Sequence, residues 1–246
     1  MSSLVQVRNP DLFDDDVVSF SVSFRGSTPG ESGGPLPDEL AAIALPESLR
    51  NAAEVRRRSF LAGRLCALRA VDRLARRRTT DPIAIGDGGA PVWPEGIVGS
   101  ITHTRGFASS AVAWRTRVRR LGVDAEVVMT DATARGVGPL VVRPEELTEV
   151  LDATRWDLST ATTLAFSAKE SVFKCLYPAV GRRFDYLDAA IEHVTLAAGR
   201  FSARLLVDLA PTVRAGDVLA GQFVVDGDRV YTGVAIRAED PRALAR

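Results

Sequence analysis

A long helical pattern followed by a group of alternating strands occurs twice in this chain, and that repeated order limits the folds open to it. The first helical pattern begins at Glu47 or Ser48, after the break at Pro46, and runs to about Arg77. Its apolar positions Leu49, Ala53, Leu61, Leu65, Leu68, Val71 and Ala75 fall near a 3.6-residue stripe. The second starts from a cap at Asp157 or Ser159 and ends at Pro178 and Gly181. Its apolar stripe is Ala161, Leu164, Ala165, Ala168, Val172, Cys175 and Leu176, with Ser167, Glu170, Lys174 and Tyr177 on the other side. Period-2 alternation predicts strands over Val17–Phe24, Ile83–Ile85, Ile97–Thr102, Ala108–Trp114 and Leu121–Glu126. Four more follow the second helix: Ala190–Leu196, Phe201–Asp208, Leu219–Val225 and Arg229–Arg237, the last two joined by a turn at Asp226, Gly227 and Asp228. A helix opens at Pro144, and residues 127–142 read as irregular. The Gly-, Pro- and Ser-rich stretch 26–37 reads as a loop and residues 238–246 as a tail. The length allows one large domain or two halves of about 120 residues each, with the polar stretch Arg115–Arg120 as a turn or the link between halves.

Bulk properties exclude several functions. The 246 residues carry 31 basic and 31 acidic side chains, so no global charge favours nucleic acid or a membrane surface. No apolar run approaches the roughly 20 residues of a membrane-spanning helix, and the first residues do not read as a signal peptide. Cys66 and Cys175 both lie in apolar helical patterns, which predicts buried free thiols in a reducing, cytoplasmic setting.

Within this balance the lysines are unusual. The chain has two, Lys169 and Lys174, and takes the rest of its positive charge from arginine. Both flank Glu170 on the second long helix. A lysine is a compact point charge on a flexible stem, which arginine does not reproduce. Glu170 and Lys174 are four residues apart and share a helix face, the spacing of an ordinary ion pair or of a phosphate-binding site. On the strand at 121–126, Asp124 and Glu126 project to one face about 7 Å apart, and Ala125 to the other. Such a pair suits a hard divalent cation, or is a solvated strand end. His103 stands at a strand end beside Thr102 and Thr104, where a functional histidine is displayed and where structural ones also occur. On the first long helix, Arg56 and Arg64 point within about 80° of each other two turns apart. They form either a phosphate clamp or part of a solvated basic face. Together, Asp124, Glu126 and Glu170 with two lysines fit a magnesium ion holding a di- or triphosphate-like group, because magnesium takes a few carboxylates, waters and phosphate oxygens.

These residues fall into motifs: Arg56, Arg57, Arg58, Ser59 and Phe60 through Gly63 and Arg64; Trp93 and Pro94; Val98 to His103; Gly122 to Glu126; and Phe166 to Ser171 with Lys174. In this order and at these intervals they resemble the 4′-phosphopantetheinyl transferases of the large, single-chain surfactin/enterobactin-synthase type, nearer to the enterobactin-type branch. The resemblance covers about Arg56 to Tyr177.

It implies an α+β, pseudo-symmetric monomer of two similar subdomains, residues 1–115 and 116–246, each a long helix packed on a small, mostly antiparallel sheet, which meet at the active site. The implied reaction is magnesium-dependent transfer of the phosphopantetheine arm of coenzyme A to a serine of an apo acyl, peptidyl or aryl carrier protein, releasing adenosine 3′,5′-bisphosphate. Such carriers belong to fatty acid, polyketide or nonribosomal peptide synthases. By the same resemblance, Asp124, Glu126 and Glu170 are the metal ligands, for Mg2+ with Mn2+ as an alternative. Lys169 and Lys174 lie at the pyrophosphate, His103 at a coenzyme A phosphate, and Arg56 and Arg64 at the 3′-phosphate. Glu170 and Lys174 are the catalytic candidates, with Lys174 as stabiliser of the leaving oxygen and Glu170, or a water on the metal, as base. Gly88 stands where relatives often carry a lysine, Ser59 replaces an acidic residue, and Ala125 separates the two strand carboxylates. Two other readings remain open on the residues: a non-catalytic coenzyme A- or carrier-binding paralogue, and a metal-dependent phosphatase or nuclease.

Overall fold

The computed structural model describes residues 4–24, 36–78, 82–86 and 89–240. Most of the expected loop at 26–37 and most of the tail at 238–246 lie outside the described residues. The strands are β1 (Leu4–Val7), β2 (Val17–Phe24), β3 (Ala84–Ile85), β4 (Pro91–Val92), β5 (Ile97–Thr104), β6 (Phe107–Trp114), β7 (Val118–Val127), β8 (Ala189–Thr195), β9 (Arg200–Leu205), β10 (Val218–Asp226) and β11 (Arg229–Arg237). The helices are α1 (Asp38–Ala41), α2 (Glu54–Ala75), α3 (Asp131–Val141), α4 (Pro144–Thr154) and α5 (Leu158–Val180). Two compact units result, one of residues 1–9 and 15–115, the other of residues 10–14 and 116–246.

In the first unit, an antiparallel sheet in the order β1-β2-β6-β5 carries α2. The face of α2 toward the sheet is built of small residues, Ala62, Cys66, Ala67 and Ala70, all fully buried. Small side chains let the helix sit close, while Leu61, Leu65 and Val71 fill the space against Phe20, Val22 and Val112. The long helix begins at Glu54, later than its periodicity suggests, because Glu47–Leu49 closes a separate 3-10 turn after Pro46.

The second unit is an antiparallel sheet in the order β7-β11-β10-β9-β8, with α5 across β7 and β11 and α4 on β8. Its core joins Leu164, Val172 and Leu176 of α5 to Ile191, Phe201, Leu205, Phe223 and Val234 of the sheet. Burying each such large side chain contributes about 1.5–3 kcal/mol. Asp157 caps α5 by accepting from the Thr160 amide at 2.7 Å. The helix runs through Pro178 and stops at Gly181, whose φ of 70° is the left-handed cap conformation. Between β7 and α4, where the sequence reads as irregular, there is a helix, α3. Two glycines and Pro139 hide it from propensity. A Thr130 cap and the burial of Ala134, Gly138 and Val141 hold it in place.

One contact fixes the distance between α5 and the sheet. A Cβ built on Gly122 of β7 would lie 1.9 Å from the Ser171 carbonyl oxygen and 2.6 Å from the Cys175 nitrogen of α5. Backbone therefore meets backbone there, and only glycine fits. Gly122→Ala is expected to cost at least about 3 kcal/mol, since the clash is with main chain and not with a flexible side chain. Gly136→Ala, at a site in α3 where an added Cβ would meet nothing within 4 Å, should instead gain about 0.5–1 kcal/mol. Urea unfolding of the two variants checks both signs.

Candidate active site

Gly122, Asp124 and Glu126 alternate along β7 and so share the face on which α5 lies. With α5 drawn in at Gly122, the next turn of that helix, toward its N-terminus, comes over Asp124. Asp124 is buried, with 3% of its surface exposed. Its Oδ2 accepts from the Ser167 hydroxyl at 2.8 Å, and its Oδ1 accepts from Lys174 Nζ at 2.6 Å. Lys174 also donates to the Val123 carbonyl at 3.2 Å. Thr232, directly across the ladder from Asp124 on β11, donates to the Ser167 carbonyl at 2.8 Å. A buried carboxylate needs hydrogen-bond partners, and Ser167 and Lys174 supply one to each of its oxygens. Glu126 follows, half-buried, opposite Val230.

Glu170 lies one turn beyond Ser167 on α5 and is half-buried. Its Oε1 accepts from the Tyr186 hydroxyl. Burial raises the Tyr186 phenol above its usual pKa, as do its hydrogen bond to Glu170 and the negative charges of Glu170 and Asp124. One phenol thus feels both carboxylates. A small cavity of about 90 Å³ opens beside it, lined by Lys169, Glu170, Phe173, Arg183, Phe184 and Tyr186 among others.

Lys169 is where sequence and structure part. Expected at a phosphate, it is instead 3% exposed and faces into the protein. Its ammonium donates to Glu146 at 2.9 Å and to the Val141 carbonyl at 2.8 Å. Glu146 also accepts from the Arg143 amide at 2.9 Å and the Ile191 amide at 2.7 Å. The pair therefore ties the end of α3, the start of α4, α5 and β8. Adjacent helix positions point about 100° apart, so the neighbour of a site residue is free to serve the core. Burial lowers the Lys169 pKa, and Glu146 opposes that shift.

In the first unit, His103 lies within β5 and not on a loop. The strand continues to Thr104, and Arg105 and Gly106 make the turn to β6. The imidazole is exposed and lies beside Gly63 of α2, where a built Cβ would be 4.0 Å from its Cδ2 and 2.9 Å from Ile101. Arg56 is exposed. Arg64 is buried, with its guanidinium over the Phe60 ring at 5.1 Å and donating to the Ala84 carbonyl at 3.2 Å. Burial lowers its pKa. The two arginines thus have different environments and do not form the matched clamp their spacing suggests. Gly88 lies outside the described residues.

Among the described residues, no three His, Cys, Asp or Glu side chains converge as a ready metal-binding group. Lys174 sits on Asp124, and Tyr186 on Glu170. The donor set is nonetheless all carboxylate oxygen, the type that hard divalent cations take.

Residues 45–113 match the 4′-phosphopantetheinyl transferase N-terminal domain, and residues 120–225 match the 4′-phosphopantetheinyl transferase superfamily. The chain is 36% identical over 213 residues to the 4′-phosphopantetheinyl transferase Svp of Streptomyces mobaraensis, covering 82% of each protein. The chain belongs to the 4′-phosphopantetheinyl transferase superfamily. It is also 36% identical over 211 residues to the 4′-phosphopantetheinyl transferase PptT of Mycobacterium tuberculosis, covering 82% of this chain and 86% of PptT. Enterobactin synthase component D of Salmonella typhi is 40% identical over 128 residues, about half of each protein. The chain is thus an enzyme, a phosphopantetheinyl transferase that acts on carrier proteins.

Thr232, Glu146 and Tyr186 are absent from the motifs, and Ser167, which lies in the Phe166–Ser171 motif on the side of Glu170 and Lys174, carries no assigned role there. Thr232, Glu146 and Tyr186 reach the site only through pairings distant in sequence. Lys169→Met is expected to lower stability by about 3–5 kcal/mol, because it strands Glu146 in the interior. Urea denaturation measures the loss.

Proposed function

We propose that the enzyme transfers the 4′-phosphopantetheine arm of coenzyme A to a serine hydroxyl of an apo carrier protein in a single magnesium-dependent displacement, releasing adenosine 3′,5′-bisphosphate. The observation that carries this reading is the buried Asp124, which accepts from Ser167 and Lys174 and faces α5, the helix that bears Glu170 and Lys174, while Thr232 holds Ser167 in place. Asp124, Glu126 and Glu170 would hold the cation, which when bound supplies positive charge to the pyrophosphate oxygens. Ser167 aims the Asp124 carboxylate by donating to its Oδ2. Lys174, whose side chain is 25% exposed where Asp124 is 3%, carries a positive charge for the leaving phosphate oxygen. Glu170 is the candidate to accept the proton of the carrier serine. Transfer of this kind needs positioning and charge neutralisation, and no covalent enzyme intermediate.

In the first unit, Arg56 and His103 are exposed and suit the phosphates of coenzyme A. Arg64 supports the segment at Ala84 and is assigned here to shaping that surface. We read the enzyme as a monomer that works in the cytoplasm. Both cysteines are buried and free, with burial pushing the Cys175 thiol up to about 12, so neither is poised to react. No helix among the described residues is long and apolar enough to cross a membrane.

Mixing the protein with coenzyme A, Mg2+ and an apo carrier domain, and weighing the carrier by mass spectrometry, tests the reaction. The carrier serine should gain the phosphopantetheine mass. Glu170→Gln should cut that rate by more than about 100-fold, beyond the usual cost of losing an outer partner of a metal site. Wild-type turnover in this variant would remove Glu170 from the site. Arg56→Ala should raise the KM for coenzyme A about 10-fold, equal to one charge-assisted contact of about 1.4 kcal/mol, and leave that for 3′-dephospho-coenzyme A nearly unchanged. Equal losses with both would remove Arg56 from the 3′-phosphate.

A further inference from the structure

The carboxylate of Glu170 receives a hydrogen bond that none of the motif residues supplies. Tyr186 donates its hydroxyl to Oε1 alone, and Oε2 receives nothing from it. The phenol is held firmly in place. Its ring packs on Phe166 with centroids 5.4 Å apart and joins the cluster around Val141, Val142 and Ala165. Its backbone belongs to a short 3-10 turn, Tyr186–Asp188, closed from both ends. Asp185 accepts from the Leu187 amide at 2.8 Å, and Asp188 accepts from the Asp185 amide at 2.8 Å. Arg143 pins the same turn to α4 by donating to the Leu187 carbonyl at 2.8 Å. A tyrosine on a surface loop would be free to swing. This one is fixed by a ring contact, a doubly capped turn and an interhelical tether, and all three serve to aim one hydroxyl.

We propose that Tyr186 is a positioning residue that fixes the Glu170 side chain by occupying one carboxylate oxygen and presenting the other to the divalent cation. A glutamate has three rotatable bonds, and on a half-exposed helix face its carboxylate samples several rotamers. Donation to Oε1 selects one of them and restricts Glu170 to a single oxygen for the cation. Outer partners of this kind orient metal-binding carboxylates, and removing one costs 10–100-fold in affinity or activity. Tyr186 makes no contact with substrate in this role. It acts through Glu170, and the inference rests on the reading of Glu170 as a cation ligand.

Tyr186→Phe keeps the ring against Phe166 and removes only the donor. Mn2+ is titrated into the full-length protein with coenzyme A present, and binding is followed by the electron paramagnetic resonance of free Mn2+. The wild type, Tyr186→Phe and Glu170→Gln are compared, and thermal unfolding is recorded for each. The expected result is about 10-fold weaker Mn2+ binding by Tyr186→Phe with an unchanged unfolding midpoint, and a larger loss by Glu170→Gln. In the transfer assay, the Mg2+ needed for half-maximal rate should rise by a similar factor, and kcat at saturating Mg2+ should return to within about twofold of wild type. If Tyr186→Phe binds Mn2+ like wild type while Glu170→Gln does not, the positioning role is wrong and the assignment of Glu170 stands. If Glu170→Gln also binds like wild type, that assignment fails and takes this inference with it. A kcat loss that Mg2+ cannot restore would give Tyr186 a different part and overturn the proposal.

Discussion

The close approach of α5 to β7 at Gly122 sets the geometry of everything around the second unit's carboxylates. Had β7 carried any side chain at 122, the helix would stand off by the thickness of that side chain. The Ser167 hydroxyl would then lose its 2.8 Å bond to Asp124, and Asp124 would be left buried with one fewer partner. Because strand residues alternate, the glycine that admits the helix and the acids that face it lie on one side by construction. A steric requirement and a chemical one are met by three alternate residues of a single strand.

The two lysines illustrate how one helix divides its labour. Lys169 and Lys174 are five residues apart, and they point to different neighbours. One lies under α3 and α4 in a fully satisfied interior pair, the other beside the β7 carboxylate at the edge of solvent. Interior ion pairs seldom add net stability over apolar packing, but they penalise any arrangement that separates the partners. Glu146 bonds to Lys169, the Arg143 amide and the Ile191 amide, so the pair specifies how α4 docks more than how tightly. The turn that carries Tyr186 is tied to the same α4 through Arg143.

Much of this was legible in the chain. The two long helices, the hairpin at Gly227 and the antiparallel strands followed from period and turn chemistry. So did the shared face of Asp124 and Glu126. Other features were not. The helix α3 carries two glycines and a proline, and it forms because its buried residues pack on α5, a tertiary effect that no local propensity encodes. Lys169 was drawn to the site by its scarcity and by its place beside Glu170, yet scarcity says nothing of direction. Its partner Glu146 is 23 residues away on another helix. Arg56 and Arg64 share a helix face in projection, but Phe60 and Ala84 take up the second of them. Period locates side chains around an axis; what packs against that axis decides which of them meet solvent.

The scarcity of lysine has a practical side. Of the two ε-amines, Lys169 is sealed in its pair with Glu146 and Lys174 is partly open beside Asp124. Of the two side-chain amines, then, the one with surface open to an acylating reagent is that beside Asp124. Surface attachment or fluorophore labelling through lysine would therefore modify Lys174, and such a preparation would report on the chemistry of that position in place of the bulk surface.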